Sequence, residues 1–585
     1  MTTNTAVKQA SKKSIRAYFP IMDWLPSYQK SWLRPDIIAA FTLWALLVPE
    51  AMAYADIAGM PPETGLYAAP LALIAYAIFG TSRHLSVGPS SAVAALSFSI
   101  VAGLAVAGSP EFIVLTIALA LMAGVLLIIG GLLRLGILAD FLSRPVLDGF
   151  MVGVAISIAI GQLSKIVGYE PEGYRFVPDL IQFVTHIGDI RLPTFVVGVT
   201  SLVLLFAIDR FLPKLPGALI VLFLAIATSA LLNFESLGIH VVGEIPAGLP
   251  KFGIPEGLGW QALLSVLPGA FGLAMVAFVE SVAIARSFGT KYGYEVDANQ
   301  ELIAVGASNL GSGFSGAFSV DGSMSRTSAA EGAGAKSQMV SLIAAIAILI
   351  TAVALTGLFY NLPEATLGAI VIHAVWKNIN FNKISKYRTI TKLDYSTSIV
   401  AMLGVLALGL LEGLLLAALL GLIVLLYGTK QRNTFELAKV PGTDIYRSLV
   451  HYPEGETYSG LLILRFDGSL FFANAHDFVT AVREAIAASD PSPQVILFDC
   501  ESMNQIDATA VITIKEFHNQ LAQSSIQVRL ARVKTDVLDV MQRGGLLEAV
   551  PAEHFYPTVQ TAVDAYLAEQ KTAQKNIPAD FDQNI

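Results

Sequence analysis

The sequence is short of charge and almost without cysteine. Only 14% of its 585 residues are Asp, Glu, Lys or Arg, where a soluble domain has about a quarter. A single cysteine, Cys500, excludes an intramolecular disulfide framework and a cysteine metal cluster. The histidines lack metal-ligand spacing, and no Walker-type phosphate loop occurs, so neither a metal nor ATP-driven pumping is expected. The apolar region holds no nucleophile–base pair or metal constellation, so neither an enzyme nor a cofactor is expected. The net charge of −8 decides little, because solvated loops and the C-terminal part hold most of it, and no nucleic-acid partner is expected.

What is abundant is hydrocarbon: 54% of residues are hydrophobic and the mean hydropathy is +0.64. Long apolar runs fill Ile37 to Tyr427, and ordinary mixed-charge sequence follows Lys430. The expected organisation is an N-terminal segment over 1–36, a membrane domain over 37–427, a linker over 428–440, a small soluble domain over 441–568 and a disordered tail over 569–585. Six basic residues (Lys8, Lys12, Lys13, Arg16, Lys30 and Arg34) precede the first run, without the short hydrophobic core of a cleavable signal. Positive charge there, and at Lys430 and Arg432, predicts cytoplasmic N- and C-termini in a cell (inner or plasma) membrane.

A spanning helix needs about 20 mostly apolar residues. The runs at 37–57, 66–79, 89–106, 112–133, 145–166, 193–211 and 218–232 make a first set of seven, and those at 262–288, 301–313, 323–334, 339–358, 362–376, 396–411 and 414–427 a second. About fourteen segments, an even number, keep both ends on one side. Short or Gly/Pro-interrupted segments at matching places in two halves point to a transporter's binding site. Such a match exists: "SVGPSSAVAAL" from Ser86 aligns with "SVDGSMSRTSA" from Ser319, pairing Ser86 and Val87 with Ser319 and Val320, and Ser90 with Ser323. Each copy is the third run of its half and reads as a short extended stretch, a Gly or Pro break and a hydroxyl-rich helix start.

Inverted repeats would aim these two helix N-termini at one point near the midplane, where unpaired N–H groups and the helix dipoles favour an anion. Arg326, in the first turn of the second helix, adds a full charge, and the alternative for it is a buried salt bridge. The serines also suit helix caps, which is compatible with anion contact. Glu280, in the apolar run "AMVAFVESVAIA", is an intramembrane functional candidate; the alternative is a structural partner that neutralises Arg326. Asp321 and Glu331 read as electrostatic balance or water-facing contacts. After Lys430, "GLLILRF", "GSLFFAN", "QVILFDC" and "IQVRLA" alternate like strands, and helical spacing covers 477–487, 508–521 and 537–543, which implies a small α/β domain.

"PETGLYAAPLALIAYAIFGTSRH" (62–84) resembles the signature of the sulfate permease (SulP) family of anion transporters, with Thr64 where the signature usually has Tyr. "VPEAMAYADIAGMPP", "SVGPSSAVAAL", "FVESVAIARSFG" and "SMSRTSAAEGAGAKSQ" resemble further family segments in the expected order, and "NQIDATAVITI" resembles the loop and helix start of a STAS domain. The resemblance implies an α-helical polytopic membrane protein of seven-plus-seven inverted repeats, divided into core and gate domains, with a cytoplasmic α/β STAS domain, usually as a homodimer moving its core like an elevator. It implies a substrate site formed by Tyr54, Ser90, Ser91, Ser325 and Arg326, and ion coupling through Glu280. Glu50 departs from the family, where Gln is common; it is either a second proton carrier or a protonated stand-in for Gln. Thr509 stands roughly where stand-alone relatives carry a phosphorylatable serine, as a candidate phosphosite or a plain helix-start residue, and a cytosolic regulator of this domain is a candidate partner.

The function so implied is uptake of a small inorganic oxyanion, most simply sulfate, with H+ as coupling ion. Sodium-coupled bicarbonate symport, dicarboxylate transport or anion exchange, and an anion channel or sensor signalling through the STAS domain stand as alternatives.

Overall fold

The computed structural model describes residues 18–136, 143–168, 176–186, 188, 190–212, 215–376, 379–429 and 434–575. All fourteen apolar runs are helical: α1 (Leu33–Ile57), α2 (Pro62–Phe79), α3 (Ser91–Val101), α4 (Pro110–Leu132), α5 (Arg144–Val167), α6 (Leu192–Phe211), α7 (Gly217–Leu232), α8 (Trp260–Tyr292), α9 (Ala298–Phe314), α10 (Met324–Gly332), α11 (Met339–Ile350), α12 (Glu364–Trp376), α13 (Lys392–Leu408) and α14 (Leu410–Thr429). The expected span at 89–106 ends early, at Val101. At 1.5 Å per residue, α3 and α10 are about 16 and 14 Å long, roughly half the hydrocarbon thickness. Among the described residues three short α-helices lie outside the expected runs, Ile21–Trp24, Phe176–Thr185 and Phe381–Ile390.

The membrane helices sort into two bundles. In one, α9 packs on α4 and α2, α8 on α4, and α11 on α1 and α2; in the other, α13 and α12 pack on α5, and α12 on α6. Each bundle mixes both halves of the chain, as inverted repeats require. Without a hydrophobic drive between helices in lipid, close packing rests on small residues. A Cβ on Gly124 or on Gly306 would lie 2.8 Å from the other's carbonyl oxygen, and one on Gly65 would fall 2.0 Å from the Ala51 carbonyl oxygen.

One face of this unit gathers the start of α1, the ends of α2, α4, α8 and α10, and the starts of α9 and α11. Asp36 accepts hydrogen bonds from the Lys336 amide and the Ser337 hydroxyl, both at 2.7 Å. Gln300 donates to the Phe79 carbonyl, the Gly136 amide donates to Asn299, and Lys291 pairs with Glu331.

The chain divides into two compact units within α14, after Leu422 rather than at 427. The second unit is a six-stranded sheet of β3 (Thr434–Lys439), β4 (Tyr446–Ser448), β5 (Leu461–Phe466), β6 (Val495–Asp499), β7 (Gln527–Ala531) and β8 (Phe555–Tyr556), in the order β4-β3-β5-β6-β7-β8. β5 to β8 run parallel and β3 antiparallel to both its neighbours. Helices α15 (Ala475–Ala488), α16 (Ala508–Gln523), α17 (Thr535–Arg543) and α18 (Val559–Lys575) accompany it. Three local expectations are corrected. β3 lies inside the expected linker, because pairing on both edges overrides its weak pattern. "GSLFFAN" is no strand: Asn474 accepts from the Phe471 amide and turns the chain into α15. Residues 569–575, expected in the disordered tail, continue α18, where Glu569 pairs at 2.5 Å with the buried Arg529; 1–17 and 576–585 lie outside the described residues. Burial pushes the Cys500 thiol up to about 12, leaving it an inert core group.

Replacing Gly65 by Leu inserts a side chain where no Cβ fits and is expected to cost at least about 1–3 kcal/mol. The check is thermal unfolding of the purified protein in detergent, where an unchanged midpoint would contradict the packing described.

Candidate anion site

The paired stretches meet inside the first bundle. β1 (Val87–Gly88) and β2 (Asp321–Gly322) are two-residue strands joined antiparallel, Val87 opposite Gly322 and Gly88 opposite Asp321. Each leads into a half-length helix. Ser90 caps α3, accepting from the Val93 amide at 3.5 Å, and Ser323 caps α10, accepting from the Arg326 amide at 3.4 Å. The caps are the two serines that align in the sequence. The first copy carries one residue more between strand and cap, Pro89. The Ser323 amide donates to the Ser86 carbonyl at 3.0 Å and the Ser86 amide to the Thr327 hydroxyl at 3.0 Å, so the crossing is stitched beyond the strands.

Arg326 is wholly buried. Its Nη1 donates to the Pro89 carbonyl and, at 3.4 Å, to Glu50 Oε2. Its Nε and Nη2 have no hydrogen-bond partner among the described residues. Leaving donors of a buried guanidinium unpaired costs free energy that an arriving acceptor recovers. Tyr54, one turn beyond Glu50 and buried, lies close to Glu50, Arg326 and Asp321. Ser91 is buried in the first turn of α3, while Ser325 is exposed in the first turn of α10, beside Met324. The structure thus gathers Glu50, Tyr54, Ser90, Ser91 and Arg326 around the crossing, with Ser325 on its open side.

Two readings change. The ion-pair partner of Arg326 is Glu50 rather than Glu280. Glu280 instead faces Asp321, and its Oε2 has no hydrogen-bond partner among the described residues. Asp321 is fully buried in β2 beside Glu280 and Ser90 rather than facing water, and among the described residues neither of its carboxylate oxygens has a partner in hydrogen-bond geometry. Glu331 does serve charge balance, bonded to Lys291 and Tyr292. Thr509 is exposed in the first turn of α16, after the capping Asp507.

A cavity of about 280 Å³ adjoins the site, lined by Glu280, Met324, Asp148, Asn380 and Lys383 among others. Its lining includes the first turn of α5 and the segment joining α12 to α13. It therefore opens on the face where α1 begins and α8 ends.

Asn309 is a residue the sequence reading missed. From α9 its side-chain amide donates to the Val320 carbonyl at 2.8 Å and accepts from the Val320 amide at 3.1 Å, acting as an extra strand for the residue before β2. Ser281 on α8 accepts from the Gly322 amide at 2.8 Å. The available signal was an Asn set among Ala, Gly and Ser in the middle of an apolar run, a polar group that burial obliges to pair.

These features recur in proteins of known family. The model of the sulfate permease family matches residues 33–401. The chain belongs to the sulfate permease family. The STAS domain model matches 452–562. A probable sulfate transporter of Mycobacterium tuberculosis is 35% identical over 542 residues, covering 92% of this chain and 96% of its own. Sulfate transporter 4.1, chloroplastic, of Arabidopsis thaliana is 32% identical over 94% of this chain and 83% of its own. The solved structure of murine solute carrier 26 family member A9, an anion transporter in the inward-facing state, superimposes with a TM-score of 0.88 at 25% identity, over 97% of this chain and 96% of its own. The transmembrane domain of a cyanobacterial bicarbonate transporter, BicA, shares the fold, with a TM-score of 0.59 at 23% identity over 67% of this chain and 98% of its own. As a sulfate permease family member, the chain is a multi-pass membrane transporter of anions and not an enzyme.

Replacing Asn309 by Ala removes the two-point hold on Val320 and should raise the apparent KM for the anion by a factor matching about 1–3 kcal/mol. Asn309→Asp, when ionised, sets a carboxylate oxygen against the Val320 carbonyl, and when protonated it restores the donor. Its KM, relative to the parent protein, should therefore fall toward one as pH is lowered, whereas the Ala variant shows no such recovery; equal pH profiles would contradict the role.

Proposed function

We propose that this sulfate permease family member carries sulfate inward across a cell membrane together with protons, with Glu280 as the coupling residue. The observation that carries this reading is a charge count. Around the paired half-helix starts, one guanidinium, Arg326, faces three carboxyls, Glu50, Glu280 and Asp321. With all three ionised, the site repels an anion despite its helix dipoles; with protons aboard, Arg326 and the helix N-termini dominate. A proton therefore favours the anion, and the anion favours the proton, which is the reciprocal linkage a symporter needs. Tyr54, Ser90, Ser91, Ser325 and the free donors of Arg326 are the proposed substrate contacts. The names of the mycobacterial and plant relatives support sulfate among oxyanions.

The direction of the cavity is supported by charge. Arg83, Arg134, Arg144, Lys291, Lys336 and Lys383 lie at the face where α1 starts, and basic residues concentrated on one face mark the cytoplasmic side. On that assignment Glu280 opens inward in this conformation. An elevator-like displacement is supported by the two-bundle packing, because one bundle carries the whole site and the other lines only its access. A homodimer and a regulatory STAS domain, with Thr509 as an exposed acceptor at the start of α16, complete the proposal. A phosphate there would meet the positive end of that helix.

The test is uptake of labelled sulfate into proteoliposomes with an imposed inward pH gradient. Accumulation above the equilibrium level should appear with the gradient and vanish when it is collapsed. Glu280→Gln should abolish gradient-driven accumulation and keep sulfate–sulfate exchange. Accumulation by the variant equal to that of the parent would overturn Glu280 as carrier, and sodium-driven accumulation without a pH gradient would overturn proton coupling.

A further inference from the structure

We infer that the helix Phe381–Ile390, together with the first residues of α13, is a docking surface for anionic phospholipid headgroups. This helix links the end of α12, Trp376, to the start of α13, Lys392, so chain continuity holds it at the boundary of the bilayer. Its inner side is committed. Lys383 Nζ lies 2.6 Å and the Tyr387 hydroxyl 2.5 Å from the two oxygens of Asp148 on α5, and Ile384 is buried. The neighbouring acids, Asp148 and Asp394, face this inner side at Tyr387.

The rest of its surface is unspent. Phe381, Ile390 and Trp376 are each more than half exposed. Lys386, Arg388 and Lys392 are exposed, and their side chains have no ion-pair or hydrogen-bond partner among the described residues. Phe381 and Arg388 stand seven residues apart and Lys386 and Ile390 four apart, so on each of the two flanks of the committed side one exposed apolar side chain of the helix shares a stripe with a cation. At the edge of a bilayer, such a pair sinks its apolar member among acyl chains and lifts its cation to the headgroups. Phosphodiester anions suit such unpaired cations, and the acyl chains suit the apolar groups beside them. Free inorganic phosphate offers the same charge without the chains, and the apolar half of the surface favours the lipid. Because Lys383 and Tyr387 on the same helix brace Asp148 in the cavity wall, a headgroup held here steadies the mouth of the transport path.

The test uses the purified full-length protein and does not depend on which anion is carried. Native mass spectrometry after titration with phosphatidylglycerol against phosphatidylcholine should show preferential retention of the anionic lipid. Lys386→Gln/Arg388→Gln/Lys392→Gln should weaken that retention by about fivefold per cation removed. In proteoliposomes, anion exchange by the parent protein should rise with phosphatidylglycerol content, and this rise should be lost in the triple variant while the rate in phosphatidylcholine is kept. Equal retention of phosphatidylglycerol by parent and variant, or no preference in the parent, would overturn the inference. So would inorganic phosphate competing the lipid off at equal headgroup concentration, since the source would then be a free anion.

Discussion

One side chain ties the two halves of the membrane domain together at their most polar point. Arg326 leaves the first turn of α10, crosses to the start of α3 and donates to the Pro89 carbonyl, while Glu50 on α1 holds the same Nη1. A guanidinium in this position is tolerated only where its charge is answered, because an unpaired cation inside a bilayer costs several kcal/mol. Glu50 answers it in part, and the remaining donors stay open. The arrangement keeps the cation fixed and unsaturated at once, which is what its proposed role in binding the anion requires.

Everything around the crossing serves to hold that geometry. Strands of two residues cannot register themselves, so Asn309, Ser281, Thr327 and the Ser323 amide bind the backbone on either side. Unpaired peptide groups of the non-helical stretches are satisfied by these partners, which is the condition for irregular backbone at membrane depth. Further out, glycines let α4 meet α9 and α1 meet α2 at backbone contact, giving the half-helices a rigid bed. The second bundle is built in the same way, but among the described residues it contributes no side chain to the crossing; its share is part of the wall of the cavity beside Glu280.

Much of this was legible in the sequence because it rests on local rules. Apolar run length marked the longer membrane helices, and the repeated Ser-Val with a Gly or Pro break marked both half-helices, with Ser90 and Ser323 among the serines that suited a cap. What was not legible depends on direction in space. Glu50 and Glu280 are both acids in apolar helices, and only the orientations of α1 and α8 decide that the first meets Arg326 and the second meets Asp321. For Asp321 the choice between charge balance and water contact stayed open because its two neighbours, Val320 and Gly322, carry no periodicity long enough to reveal burial. In the soluble domain the short strands β4 and β8 and the polar helix α18 escaped for a related reason. Their stability comes from edge pairing and from contacts such as Glu569 with Arg529, not from a hydrophobic pattern.

The central claim is that the transported anion sits between the starts of α3 and α10 against the open donors of Arg326. Selenate, a heavier isostere of sulfate, allows this to be seen directly by anomalous scattering from crystals of the loaded protein. The account requires a selenium peak within hydrogen-bonding reach of Arg326 Nη2 or Nε and of the first-turn groups of α3 or α10, absent in Arg326→Gln. A peak lying elsewhere in the membrane domain, or one that persists unchanged in that variant, would contradict it.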